Sequence, residues 1–394
     1  LALWAYLRAR LAQIHGESGR TYLLLTGLLW FLALGSKEDS VLLPAFTLAL
    51  ELTVLRFRAA DPALARRLRG GYSALILLGV SAYLLWLVPS RWTLEPYHSR
   101  EFSSPERLMS QGRVLCMYLW QILIPLPAHM PFNYDWLQPS RGLLEPRTTL
   151  PALVLLAGLL ALAWHLRRHR RPMFALGVFL FLSGHFVTSN ILALELAFEH
   201  RNHFPLLGVL LAAGDLLVFI STRMRLRPVV GGVACTILLV ALAGGTWSRA
   251  RAWGSELSLA QASTRLAPQS ARAWHSLCMA WFHAGGGMTA NNPHLGKAIP
   301  ACEKAASLSA EGVTSLTNAI VFKTLLGTIS EGDWERYLER LRRVSMTRGE
   351  HVRPIWYFMG LLRDGMKLDE AHVLAAIEII CTRAGLQATD YAAI

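Results

Sequence analysis

Two short polar clusters interrupt a chain that is otherwise strongly apolar, and their residue types suit phosphate chemistry. Ser36-Lys37-Glu38-Asp39-Ser40 lies between two apolar runs, and Glu199-His200-Arg201-Asn202-His203 follows the apolar Ile191–Leu194 and precedes Pro205. A guanidinium can grip a phosphate through two parallel hydrogen bonds, and an ammonium supplies a point charge. A phosphate at headgroup level, on an apolar tail lying between helices, would therefore meet Arg201 and Lys37. His200 or His203 can move a proton or donate a hydrogen bond to the departing phosphate oxygen. Glu199 and Asn202 flank the cation as support, and Glu38 supports from the first cluster. The chemistry implied is displacement of a lipid-linked phosphate from a sugar. Taken alone, the first cluster also reads as a plain turn capped by Ser36 and Ser40 with its charges in water; the second cluster shifts the balance.

The elements that must position these clusters are membrane helices. Hydrophobic residues make up 53% and charged residues 16% of the 394, with a mean hydropathy of +0.36, against roughly a quarter charged in soluble domains. Apolar stretches of spanning length fall at about 19–36, 41–56, 71–89, 149–166, 172–194, 204–221 and 228–247, so about seven spans are expected. The arginines at Arg8/Arg10/Arg20, Arg56/Arg58/Arg66/Arg67/Arg69, Arg167/Arg168/Arg170/Arg171 and Arg223/Arg225/Arg227 then all fall on one side. By the positive-inside rule that side is the cytoplasm, and both polar clusters lie on the other. The net charge of +13 is thus assigned to membrane anchoring and not to nucleic acid. Residues 107–124 do not fit as a span without reversing an arginine cluster. They are expected to form an amphipathic helix in the outer interface, within one outer loop over 90–148 whose Trp92, Tyr97, Trp120, Tyr134 and Trp136 suit headgroup depth. The opening Leu1-Ala2-Leu3-Trp4 reads as the tail of a helix whose beginning lies upstream.

The division expected is a membrane domain over 1–250 and a soluble helical domain over 251–394. In the latter, Ala260, Ser263 and Pro268, then Trp274, Leu277 and Trp281, then Ala298, Cys302, Ala305 and Ala310 follow a tetratricopeptide frame, with Gly285–Pro293 as an insert. Stacked helix pairs of that kind form concave binding surfaces, so an acceptor surface is expected near Trp274 and Trp281. Of five cysteines, Cys116 and Cys235 read as small apolar residues. Cys278 and Cys302 are placed to pair between two helices if their compartment is oxidising. No Cys or His spacing resembles a zinc site. Glu51 and Asp215 near the arginine-rich ends are expected to reach water or arginine, and His185 to be a satisfied packing residue.

The hairpin LALGSKEDSVLLPAFTLALEL resembles the Ser-Lys-Glu segment of bacterial membrane proteins that carry tetratricopeptide repeats. LELAFEHRNHFPLLG resembles the same group's Glu-(His)-Arg-x-x-x-Pro-x-x-Gly segment, through Glu199, Arg201, Pro205 and Gly208. The join between last span and first repeat, TWSRARAWGSELSLAQASTRLAPQSARAWHSL, is similar too. The group is similar to the transmembrane-and-tetratricopeptide-repeat O-mannosyltransferases. The resemblance implies an all-α GT-C fold, a polyprenyl-phosphate sugar donor used on the outer face, and a protein or glycan acceptor. The requirement for a divalent metal stays open. The family's acidic catalytic residue sits in the first outer loop, which would lie upstream of Leu1. The layout suits a bacterial inner membrane with the repeat domain in the periplasm. Two further readings share these features: an oligosaccharide ligase or polymerase using a lipid-diphosphate glycan, and a non-enzymatic anchored repeat scaffold for envelope or pilus assembly.

Overall fold

The computed structural model describes residues 1–92, 102–168, 170–289, 291–309, 312–344 and 353–382; Tyr97 and Ala310 lie outside these. Among the described residues every regular element is helical, and the sole β-type pairing is an isolated bridge between Gly142 and Glu145. The chain forms two compact units. Unit 1 comprises Leu1–Pro125 and Pro139–Ala241, and unit 2 comprises Leu126–Gln138 and Leu242–Ile394. Part of the expected outer loop thus belongs to the C-terminal unit, and the later border falls within a helix, ahead of residue 250.

The first nine helices are α1 (Ala2–Ile14), α2 (Arg20–Leu34), α3 (Leu43–Leu50), α4 (Pro62–Arg91), α5 (Ser104–Leu123), α6 (Thr149–Leu166), α7 (Pro172–Gly184), α8 (Pro205–Arg223) and α9 (Pro228–Ala252). Of these, α4, α6, α8 and α9 are long and apolar enough to cross a membrane. Three stretches expected to span hold shorter or interrupted helices. Over 41–56 the eight-residue α3 is flanked by a 3₁₀ turn, Glu38–Leu42, and a π turn, Glu51–Leu55. Pro44 in the first turn of α3 favours a helix start, because it has no N–H to extend a helix running through it. The stretch 172–194 is helical only to Gly184 and then unwinds.

The arginine-rich end of unit 1 is built around a buried carboxylate. Glu51 is fully buried and accepts from Arg10 Nε at 2.6 Å, Tyr6 Oη at 2.8 Å and the Phe57 N–H at 3.0 Å. Arg10 also donates to Gln13 and to the Arg58 carbonyl, so neither charge is left bare. Asp215 meets Arg171 at 3.5 Å. Both carboxylates therefore find an arginine. Helices α7 and α8 cross at Gly177 and Gly208: a Cβ on Gly177 would lie 2.3 Å from the Gly208 carbonyl oxygen, and one on Gly208 would lie 2.5 Å from that of Gly177. Small residues at a crossing allow this approach.

Helix α5 forms where an interfacial helix is expected. Its buried face carries Arg107, Ser110, Gln111, Tyr118 and Gln121, while Trp120 and Leu123 are exposed. The polar face is turned inward because the unwound chain after α7 presents carbonyls that need donors.

Unit 2 adds α10 (Glu256–Leu266), α11 (Ala271–Ala284), α12 (Leu295–Leu308), α13 (Val313–Leu326), α14 (Glu331–Arg343), α15 (Arg353–Arg363) and α16 (Glu370–Cys381). From α10 to α14 each helix packs on the next, as do α15 and α16; α13 also touches α15, and α14 touches α16. Ala260, Ser263, Ala298 and Ala305 are buried at these contacts. Cys278 and Cys302 form a disulfide between α11 and α12, with Cα atoms 5.1 Å apart. The segment 126–138 joins this unit through Asp135, whose carboxylate accepts from Ser270 Oγ and the Arg272 N–H.

Candidate functional site

The unwound segment from His185 to Phe204 is held by side chains reaching its main chain. Arg107 donates to the carbonyls of Thr188 (2.7 Å), Asn190 (2.9 Å), Leu194 and Glu195 (3.3 Å). Gln111 Nε2 donates to the Leu196 carbonyl at 2.9 Å. Tyr118 Oη donates to the Phe198 carbonyl at 2.9 Å and accepts from the Phe198 N–H at 2.8 Å. The chain then makes a single 3₁₀ turn, Glu199–Asn202, and Pro205 opens α8. The second polar cluster is therefore a tight turn on a fixed support.

Within it, Arg201 is half-buried. Its Nη1 donates to the carbonyls of Glu195 (2.8 Å) and Leu196 (3.3 Å), and its guanidinium carbon lies 5.0 Å from the Phe198 ring centre. Tyr118, Glu195 and Asp39 lie within electrostatic reach of it, and the guanidinium stays charged. His200 is exposed and stacks on Phe198 at 5.1 Å, and His203 is exposed. Glu199 is half-buried. Asn202 is buried, and its Oδ1 has no hydrogen-bond partner.

The first cluster forms the tip between α2 and α3. Trp30 Nε1 donates to the Ser40 carbonyl at 2.7 Å and fixes the turn on α2. Lys37 and Glu38 are exposed, and Lys37 pairs with Asp39 at 3.1 Å. Neither serine caps the 3₁₀ turn. The two clusters occupy one end of unit 1: the charge of Asp39 acts on Arg201, and Phe46 of α3 stacks on Phe204 at 4.2 Å. Asp39 is thus the tip residue whose charge is felt at Arg201, while its carboxylate pairs with Lys37 and its Oδ1 is buried without a hydrogen-bond partner.

Residues outside the expected set complete this end. His185 is buried, stacked on Tyr118 at 5.2 Å and edge-on to Phe181 at 4.9 Å. It packs as expected, with Asn202 the polar side chain beside it. Arg107 was open to detection as an arginine within an apolar helix; Gln111 and Tyr118 carried no such signal. Among the described residues no three His, Cys, Asp or Glu side chains gather into a metal-holding group.

Unit 2 has its own cavity, of about 840 Å³, lined by α11, α13 and α15. Arg272, His275, Ser315, Asn318, Arg353 and Tyr357 face it, with no Asp or Glu among the described residues of the lining. His275 Nδ1 lies 3.0 Å from Ser315 Oγ, and burial pushes its imidazole pKa down. Trp274 and Trp281 are not in the lining. Both pack against the core, with Trp274 Nε1 donating to the Pro268 carbonyl and Lys297 Nζ 4.5 Å from the Trp281 ring centre. The open surface is carried by the neighbouring face of α11.

Comparison of the chain with protein families, curated proteins and solved structures finds no match.

Proposed function

We propose that this protein is a membrane glycosyltransferase of the GT-C kind, moving a sugar from a polyprenyl-phosphate carrier to a protein or glycan acceptor at the outer face of a bacterial inner membrane. The observation that carries this reading is the shared position of the two polar clusters, with Asp39 acting on Arg201 and Phe46 stacked on Phe204. Arg201 binds main chain through Nη1, which aims the rest of its fork; Lys37 adds a second cation at the tip. Together they hold the donor phosphate. The C–O bond between sugar and phosphate breaks, the acceptor hydroxyl oxygen takes its place on the sugar and releases its proton to water, and His200 or His203 donates a hydrogen bond to the departing phosphate oxygen. Glu38, Glu199 and Asn202 shape the turn.

Seven crossings follow in this reading if α2, α3 with its flanking turns, and α7 with the unwound chain each count as one. Irregular main chain at membrane depth is tolerated where protein covers it or a cavity adjoins it, which suits a site built on 185–204. The Cys278–Cys302 disulfide supports an oxidising, periplasmic side for the C-terminal unit. The tetratricopeptide-like unit then presents the acceptor along the Arg272–Asn318–Arg353 face. The test is sugar transfer by the full-length protein. Arg201→Ala lowers kcat about 100-fold, the cost of removing one aimed donor to a developing anion, and Arg201→Lys restores only part, because an ammonium cannot fork. Unchanged transfer by Arg201→Ala, in protein that still melts cooperatively, rejects the assignment.

A further inference from the structure

Helix α4 packs on its neighbours through side chains such as Tyr72 and Tyr83, the latter 5.8 Å from the Phe186 ring centre. None of its apolar window is buried. Its described ties include Tyr72 Oη, which donates to Tyr6 Oη at 2.9 Å, and the Tyr72 ring edge-on to Phe57 at 5.9 Å. These props leave a cleft of about 390 Å³ between α2, α3 and α4. Trp30, Leu43, Pro44, Leu64, Leu68 and Leu75 make its walls mostly apolar, and Arg67 lines it near the start of α4.

An apolar gap inside a membrane bundle offers water too few polar partners, and an empty one of this size forfeits packing on every wall. Lipid hydrocarbon is the solvent that fits. The charged end selects the headgroup. Arg67 is exposed and no Asp or Glu is among the described residues of the cleft lining; Arg56, Arg58, Arg66 and Arg69 surround that end in sequence. Basic pockets between membrane helices favour anionic lipid. That end is also the Glu51–Arg10 end of unit 1, because Tyr72, Tyr6 and Glu51 are joined in series. Lys37, by contrast, lies at the far end of α2.

We propose that the cleft is a lipid site, separate from the sugar-transfer site, which takes an acyl chain of an anionic glycerophospholipid from the arginine-rich leaflet and sets its phosphate on Arg67. Native mass spectrometry of the detergent-purified full chain, offered equal phosphatidylglycerol and phosphatidylcholine, reads this directly. Wild type retains one phosphatidylglycerol, preferred about fivefold, the selectivity expected from one cation at the headgroup. Arg67→Gln, an exposed change, abolishes the preference. A Cβ on Gly71 meets nothing within 4 Å, and Gly71 lines the cleft, so Gly71→Phe fills it and expels either lipid. Equal retention of both lipids by wild type overturns the proposal. So does an unchanged preference in Arg67→Gln, unchanged lipid count in folded Gly71→Phe, or displacement of phosphatidylglycerol by equimolar polyprenyl phosphate. Sugar transfer is measured on the same samples, so loss of lipid selectivity and loss of the Arg201 site are told apart.

Discussion

Arg107 and Arg201 both donate to the Glu195 carbonyl, from a helix and from a turn. Two cations on one stretch of main chain explain how 185–204 holds a fixed course without being helical. The two residues differ in burden. Arg107 is fully buried and serves four carbonyls, whereas Arg201 keeps part of its fork available. Arg107→Met should therefore cost at least about 3 kcal/mol, since it removes a buried charged donor and leaves carbonyls without partners. Thermal unfolding in detergent checks this, with Arg107→Lys recovering only a fraction. The candidate site was half legible at this scale. Lys37, Arg201 and the two histidines stood out by type. The partners of Arg107 are carbonyls more than 80 residues away, and no residue type marks a carbonyl that needs a donor.

Length and apolarity made α4, α6, α8 and α9 readable as helices able to cross a membrane, because a long helix in lipid needs little more than those two properties. The interrupted elements were not readable in the same way. What ends α7 at Gly184 is the support waiting for the next segment, and what shortens α3 is Pro44 followed by a π turn around Glu51. The helix crossing shows a similar division. Gly208 completes a sequence motif, but its mate Gly177 lies in an apolar run with nothing to single it out. Gly208→Ala should destabilise unit 1 by about 1–3 kcal/mol through overpacking, because the added methyl would fall 2.5 Å from a carbonyl oxygen. Gly79→Ala in α4, where a Cβ meets nothing within 4 Å, is the matched control and should leave the melting temperature unchanged or slightly raised. Equal shifts from the two changes would mean that the α7–α8 crossing is looser than its geometry indicates.

For the molecule as a whole, the disulfide is the sharpest handle. Cys278 and Cys302 are 24 residues apart, and closing a loop of that length restricts the unfolded chain by about 3 kcal/mol. Reductant should therefore lower the unfolding temperature of unit 2, and the Cys278→Ser, Cys302→Ser double variant should match the reduced protein. Alkylation before reduction, read by intact mass, should label Cys116, Cys235 and Cys381 only. Five labels on protein isolated without reductant would remove the support for a periplasmic C-terminal unit. The division into two units follows the change in composition along the chain, but the place of 126–138 does not, because that segment has no compositional tie to the unit it joins.

The polypeptide passes from one unit to the other after Pro125, after Gln138 and again after Ala241. A fragment beginning at residue 251 would thus be born without Asp135, the carboxylate that receives Ser270 and the first turn of α11. The helical third is consequently not a cassette that can be cut loose and grafted onto an arbitrary anchor: the short segment 126–138 must travel with it, and any transplant that omits that piece measures a damaged domain.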